Sequence, residues 1–156
     1  MPHLTGETLE IAIEISPDDP DNDEFRRYGW RFEDPTIVRT PGHFREYVSS
    51  SAGEFSCAKG GYAGTNGGWF SDRSSCYLAA GRPVVLQDTG FANLLPTGKG
   101  LFSAKTPEEA CGAIHAIRSD YESHSIAARQ IAREYFDTDV VVRRLLAEAD
   151  ISAVAG

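Results

Sequence analysis

A glycine-rich stretch between two apolar segments constrains the fold of this chain more than any other feature. Five of the twelve residues at 59–70, KGGYAGTNGGWF, are glycine, which predicts a loop because glycine weakens both helices and strands. The short apolar segment 54–58 before it is typical of a buried strand. A helix is predicted after it, from Ser71 or Asp72, both residue types that cap helices, to about Ala80.

The end of this helix and the strand after it are equally well marked. Gly81 is the residue type that ends helices in a left-handed conformation, and Pro83 cannot continue a helix. Residues 84–86, Val-Val-Leu, predict a strand, and residues 87–90, Gln-Asp-Thr-Gly, predict a loop after it. A strand, a helix and a second strand in this order predict a parallel pair. Loops that follow parallel strands open on the same edge of a sheet, where such sheets bind ligands.

The rest of the chain continues the alternation of strands and helices. It predicts an α/β fold, a Rossmann-like parallel sheet with helices on both faces. We expect residues 1–150 to form one domain and residues 151–156 to be a frayed tail. Further strands are predicted at 9–15, 30–32 and 100–103. Further helices are predicted at 23–28 and after Thr40-Pro41. Towards the end of the chain, one helix is predicted from the Thr106 capping box to a break near 119–123, a second beyond that break, and a third from Thr138.

Charge is distributed unevenly along the chain. The net charge is −8, which argues against general binding to nucleic acids or to anionic membranes. Residues 1–54 have a net charge of −7 and residues 101–156 one of −3, whereas residues 55–100 have a net charge of +2. The positive region is also the glycine-rich one, and that combination suits a small anion such as a diphosphate.

Composition excludes several other classes of protein. No apolar stretch approaches the ~18–20 residues that span a bilayer, and the N-terminus lacks the pattern of a signal peptide. We therefore expect a cytoplasmic protein without a transmembrane segment. Cys57, Cys76 and Cys111 lack metal-ligand spacing, so we expect reduced thiols, the first two as small buried residues, and no bound metal. Residues 137–139, Asp-Thr-Asp, are better explained by helix capping than by metal binding.

The glycine-rich segment has the properties of an anion site. Its glycines allow backbone N–H groups to approach a ligand, and the helix from Ser71 or Asp72 points its positive end at the loop. Lys59 and Arg73 can donate charge-assisted hydrogen bonds to phosphate oxygens. The segment matches neither a Walker A motif nor the G-x-G-x-x-G dinucleotide motif. The alternative is a flexible surface loop that binds no ligand.

Three residues near this segment have two interpretations each. Asp88 suits hydrogen bonds to sugar hydroxyls, and it equally suits a turn. Tyr62 and Trp69 suit stacking on a base, and they equally suit packing beneath the glycine loop. The apolar side chains of the two loops predict an exposed apolar surface for a partner or for self-association; they are Tyr62, Trp69, Phe70, Phe91, Leu94 and Leu95.

The residues EFSCAKGGYAGTNGGWFSDRSSCYLAAGRPVVLQDTGF, followed by LPTGKGL, PEEA and REYFDTD, resemble a known family. They are similar to the C-terminal domain of glycosyltransferases of the GT-B fold, and most of all to a bacterial glycosyltransferase-like group with a WFSDRSxxYLAxGRPVxxQDTG core. The specific likeness covers residues 53–102, and a weaker one runs from about 9 to 149. The resemblance implies that this domain binds a nucleoside diphosphate-sugar, the donor substrate, without a cofactor or an essential metal.

Carried over residue by residue, the resemblance implies two sets of binding residues. Gly68, Ser71, Asp72 and Arg73 would contact the phosphates, with Lys59 as a further cation, and Asp88, Thr89 and Gly90 would contact the sugar or ribose. Cys76 stands where many GT-B enzymes have a ribose-binding glutamate, and Gly68 stands where they have its partner acid. Recognition of ribose by paired carboxylates is therefore not expected here.

A complete GT-B enzyme also has an N-terminal domain that binds the acceptor. We expect that domain to be absent from these 156 residues, so no catalytic residue is assigned and the chain alone is expected to be inactive. The possible partners are an acceptor-binding domain or further copies of the chain. The main hypothesis is the donor-binding half of a glycosyltransferase. The alternatives are a non-catalytic nucleotide-binding module and an inactive remnant.

Overall fold

The computed structural model describes residues 1–149, which form a mixed α/β arrangement of helices and small parallel sheets. The predicted frayed tail at 151–156 lies outside the described residues. In chain order the elements are α1 (Pro2–Thr5), β1 (Glu10–Ala12), α2 (Asp21–Arg27), β2 (Arg31–Glu33), a 3-10 turn (Pro35–Val38), α3 (Pro41–Ser50), β3 (Glu54–Ser56), α4 (Gly60–Ala63), α5 (Asp72–Ala79), β4 (Val84–Gln87), a 3-10 turn (Phe91–Asn93), β5 (Leu101–Ala104), α6 (Pro107–Ser119), α7 (Tyr121–Tyr135) and α8 (Thr138–Glu148).

Three parallel strands form the sheet of the glycine-rich half, in the order β3-β4-β5. Alternate residues of β4 point to opposite faces, and helices cover both. Val84 and Leu86 pack with α3, α5 and α7, whereas Val85 packs with α6. Both faces of β4 are therefore buried, which explains its continuous apolar sequence. This arrangement confirms the predicted α/β class and is compatible with a Rossmann-like sheet.

The first strand does not join this sheet. The sequence predicts that residues 9–15, 54–58 and 83–87 are parallel neighbours or near neighbours in one sheet, and for 9–15 this is wrong. Only Glu10–Ala12 are in strand conformation, and they pair in parallel with Arg31–Glu33 as a separate two-stranded sheet. The side chains of β1 and β2 are either partly buried or exposed. β1 therefore has no fully buried apolar face that would pack it into the main sheet.

The predicted helix ends are confirmed by hydrogen bonds. Thr40 caps α3 by accepting from the His43 N–H at 3.2 Å, and Thr106 caps α6 by accepting from the Glu109 N–H at 3.2 Å. Gly81 follows α5 with a left-handed φ of 70°. The break predicted near 119–123 falls at Asp120, between α6 and α7.

Gly100 lies in close contact with the helical layer. Its φ is +76°, and an added Cβ would lie 2.4 Å from the Ala128 nitrogen, far inside contact distance. The start of β5 therefore packs directly on the backbone of α7, and glycine is required there by both conformation and space.

Candidate functional site

The two loops that follow β3 and β4 meet at the carboxyl edge of the sheet. The Gly68 N–H donates to the Thr89 carbonyl at 2.7 Å, and the Thr89 hydroxyl donates to the Trp69 carbonyl at 2.6 Å. Thr89 is buried, at 2% exposure. These bonds join the glycine-rich loop to the Asp88–Gly90 turn. Gly68, which the resemblance assigns to the phosphates, and Thr89, which it assigns to the sugar or ribose, therefore lie side by side.

Gly90 allows the two loops to pack closely, because a side chain at this position would collide with the glycine-rich loop. Its φ is +94°, and an added Cβ would lie 2.7 Å from Asn66 Oδ1 and 2.8 Å from the Asn66 carbonyl oxygen. Asn66 itself has a positive φ of 49°, which is uncommon outside glycine. The glycine of the Asp-Thr-Gly turn is thus required for packing of the two loops, independently of any ligand.

Asp88 is held as a carboxylate at the base of this turn. Its Oδ1 accepts from the Gly90 N–H at 2.9 Å, and its Oδ2 lies 3.6 Å from Lys105 Nζ. The Gly90 hydrogen bond, assisted by Ser103 and Lys105, lowers the pKa of Asp88 below its ordinary value. Asp88 therefore forms the turn, and its ionised carboxylate can in addition accept a hydrogen bond from a hydroxyl.

The start of α5 already has a carboxylate bound to it. Ser71 is the N-cap residue, but its side chain makes no capping bond; its hydroxyl donates to Asp72 Oδ1 at 3.4 Å. The same Asp72 oxygen accepts from the Arg73 N–H at 2.8 Å. An anionic side chain at this position is favourable for the helix. The phosphate role expected for Asp72 is therefore disfavoured, because its charge would repel an anion.

Arg73 points along β3 instead of standing free. Its Nε donates to Glu54 Oε1 at 2.7 Å, and its Nη2 donates to Ser56 Oγ at 2.7 Å. The Glu54 side chain is 5% exposed, whereas that of Arg73 is 50% exposed. Sequence reasoning missed Glu54 and Ser56; their i, i+2 spacing, which puts both on one face of a strand, was the available signal. Glu54 Oε2 is buried without a hydrogen-bond partner.

Lys59 and the aromatic residues form the outer part of the loop. Lys59 is exposed at the start of α4, a single helical turn within the stretch predicted as loop throughout. Tyr62 and Trp69 are exposed and stacked on each other, with ring centroids 4.3 Å apart. The expected apolar surface exists only in part: Tyr62, Trp69 and Leu94 are exposed, Phe70 and Leu95 pack partly against the core, and Phe91 is buried.

Arg82, at the far end of α5, is a structural residue. Its Nη1 donates to the Tyr121 hydroxyl at 2.9 Å, and its Nη2 donates to the Ser49 carbonyl. It therefore ties the turn after α5 to α3 and α7. Arg129 is exposed near the same end of α5 as Arg82, and its side chain makes a long 3.4 Å contact with the Ala80 carbonyl. Arg129 is therefore a suitable control for substitution of Arg73.

Other kinds of site find little support in residues 1–149. No group of three or more His, Cys, Asp or Glu side chains there could hold a metal ion, and no helix there is long and apolar enough to cross a membrane. Cys57 and Cys76 are exposed, so their expected burial is wrong. Two open clefts, each of roughly 500 Å³, are lined by residues 36–50 and 13–34, away from the loops that the sequence singled out.

No family model, no curated protein and no solved structure matches this chain.

Proposed function

We propose that this chain binds a nucleoside diphosphate-sugar, as the donor-binding half of a glycosyltransferase of the GT-B type. The observation that supports this most is the junction of the two loops. Both loops follow parallel strands and so lie at the carboxyl edge of the sheet. The hydrogen bonds of Thr89 join them beside the start of α5. Sheets of this kind bind ligands at that edge, so one ligand could contact both loops and the helix start together.

In this proposal the phosphates lie against the glycine-rich loop, near the half-exposed Arg73 side chain and the exposed Lys59. Gly68 allows the backbone to approach them, and Ser71 supplies a hydroxyl. The Asp88 carboxylate accepts from sugar hydroxyls. The cations would stabilise the charge that develops on the departing diphosphate, which is the main electrostatic requirement of the transfer. The acceptor and the catalytic base would come from a partner domain.

A non-catalytic binding module is the second candidate, and two carboxylates favour it. Asp72 is bound at the start of α5, and Glu54 neutralises Arg73. Both reduce the positive potential that a diphosphate would meet. A protein that must stabilise the leaving group in transfer needs that potential more than one that only holds a nucleotide. Measured transfer with a supplied acceptor domain would decide for the enzyme, and binding without transfer would decide for the module.

Calorimetric titration with UDP, GDP and TDP, and with the matching nucleosides, tests the proposal. Diphosphates should bind more tightly than nucleosides, because the loop and the cations act on the phosphates. Arg73→Ala should lose a charge-assisted bond of roughly 1.5–3 kcal/mol, which weakens binding about 10- to 150-fold. Arg129→Ala should change affinity little.

Two results would contradict the assignment of the site. One is an equal loss in the Arg73 and Arg129 variants, which would point to a general charge effect. The other is the absence of binding of any nucleotide by the wild-type chain, which would leave the inactive remnant as the better account. Lys59→Ala, compared with Lys99→Ala, extends the test to the second cation, because Lys99 is exposed just before β5, at the opposite edge of the sheet.

A further inference from the structure

The stacked pair Tyr62–Trp69 is an aromatic surface that the core does not use. The two rings are parallel to within 6°, with centroids 4.3 Å apart. Tyr62 is 39% exposed and Trp69 is 47% exposed. Water-facing aromatic rings lose the free energy that burial would give them. Packing beneath the glycine loop, one of the two interpretations from the sequence, is therefore not how these rings are used.

The base of this pair is anchored. The Trp69 carbonyl accepts from the buried Thr89 hydroxyl, and the neighbouring Gly68 N–H donates to the Thr89 carbonyl. The backbone beneath the indole is thus fixed to the end of β4 rather than carried on a free loop tip. A ring held in this way binds a flat partner with less loss of conformational entropy than a mobile one.

The size of the surface indicates a small ligand. Among the described residues of the two loops, Leu94 is the one other large apolar side chain that is exposed; it lies next to Gly68, whose added Cβ would be 3.5 Å from Leu94 Cδ1. Three side chains fall far short of the ~800 Å² that each partner buries in a stable protein interface. They match the area of one or two flat rings.

The distance to the start of α5 restricts the ligand further. Trp69 is three residues before Asp72, the first residue of α5. Three residues span at most about 11 Å, so a flat group on the pair and an anionic group at the helix start would lie within one small molecule of each other. A nucleoside diphosphate has both groups at such a separation.

We propose that the Tyr62–Trp69 pair is the base-binding platform of this chain, on which the nucleobase of a nucleoside diphosphate stacks. The inference rests on the proposed function for the phosphate end of the ligand. Every base has a flat π-face, so stacking here gives affinity with little selection among bases.

Tryptophan fluorescence can test this directly, because Trp30 and Trp69 are the two tryptophans of the chain. In Trp30→Phe, UDP or GDP should quench the remaining Trp69 emission, and inorganic pyrophosphate should bind without quenching it. In Trp69→Phe, the Trp30 emission should not respond to either. If Trp30→Phe fails to fold, the difference between wild type and Trp69→Phe gives the same signal.

Tyr62→Ala supplies a second measurement by calorimetry. It should weaken nucleotide binding about 5- to 150-fold, the usual loss for one stacking contact, and leave pyrophosphate binding unchanged. Tyr28→Ala is the matched control, since Tyr28 is also exposed but directly follows α2.

The outcomes separate this inference from the proposed function. Nucleotides that bind no better than pyrophosphate and leave Trp69 emission unchanged would overturn the platform and preserve the phosphate site. Nucleosides that quench Trp69 while pyrophosphate does not bind would support the platform and remove the phosphate site. Absence of all binding would overturn both. Quenching by a base-free sugar phosphate would also overturn the platform, because a sugar ring would then be what binds the pair. Trp69 emission that depends only on protein concentration would overturn it as well, because a second copy of the chain would then cover the pair.

Discussion

The two sheets of this chain are both parallel, yet they are built differently. In the three-stranded sheet, Val84, Val85 and Leu86 of the central strand are 0–7% exposed. In the two-stranded sheet, no residue is fully buried. Apart from Pro2, the buried hydrophobic residues of the described chain begin at Val48. Strand pairing alone therefore does not make a core, and the candidate site lies on the part of the molecule that has one.

Polar and aromatic contacts attach the N-terminal region to the rest. His115 Nε2 lies 3.1 Å from the Thr5 carbonyl, Arg118 pairs with Glu7, and Trp30 lies against Phe55. Exposed ion pairs contribute little stability, and the region up to residue 54 has a net charge of −7. We therefore expect residues 1–40 to open at a lower free energy than the three-stranded sheet.

The largest effect should come from removing a core side chain. Leu78 is fully buried on α5, so Leu78→Ala should lower the free energy of unfolding by about 2–5 kcal/mol through lost burial and a cavity. Ile11→Ala, at a half-buried position in β1, should cost clearly less, about 1 kcal/mol. Urea unfolding measures both. Equal losses would show that the two sheets share one core, against the present account.

A pair of glycines tests the packing of the main sheet on α7. Gly98 and Gly100 both have positive φ values, but only at Gly100 would a Cβ meet the Ala128 backbone. Gly98→Ala should cost about 1–2 kcal/mol from conformation alone. Gly100→Ala should cost about 1–3 kcal/mol more from overpacking. If thermal or urea unfolding gives the same loss for both, β5 does not pack as closely on α7 as described.

The sequence predicted what depends on near neighbours along the chain. Helix ends at Thr40, Gly81 and Thr106 were predictable because capping and left-handed glycines are local chemistry. The partner of β1 was not, since strand pairing joins residues about twenty positions apart and the apolar pattern of 9–15 suits several neighbours. The site divides in the same way. The glycine-rich loop was predictable, whereas the bond from Arg73 to Glu54 spans 19 positions, and the spacing of Glu54 and Ser56 shows that they share a strand face but not which side chain binds them.

The smallest effect concerns the link between α3 and β1. Burial, and then the nearby Glu10 carboxylate of β1, raises the pKa of Tyr47 above its ordinary value near 10. A tyrosine whose folded pKa is raised contributes stability below the unfolded pKa, and this is lost as the pH rises above it. Tyr47→Phe should change the free energy of unfolding little at neutral pH and should make stability fall less steeply above about pH 10. Identical slopes in urea unfolding at alkaline pH would contradict this link.

The most direct test of the central claim is amide hydrogen exchange with and without a saturating nucleoside diphosphate. The proposed ligand lies on the loops that meet at the carboxyl edge of the three-stranded sheet. Exchange should therefore be slower in peptides that cover residues 59–75 and 87–91, and unchanged in residues 1–40. Protection confined to residues 1–40, or no protection anywhere at saturation, would contradict this placement.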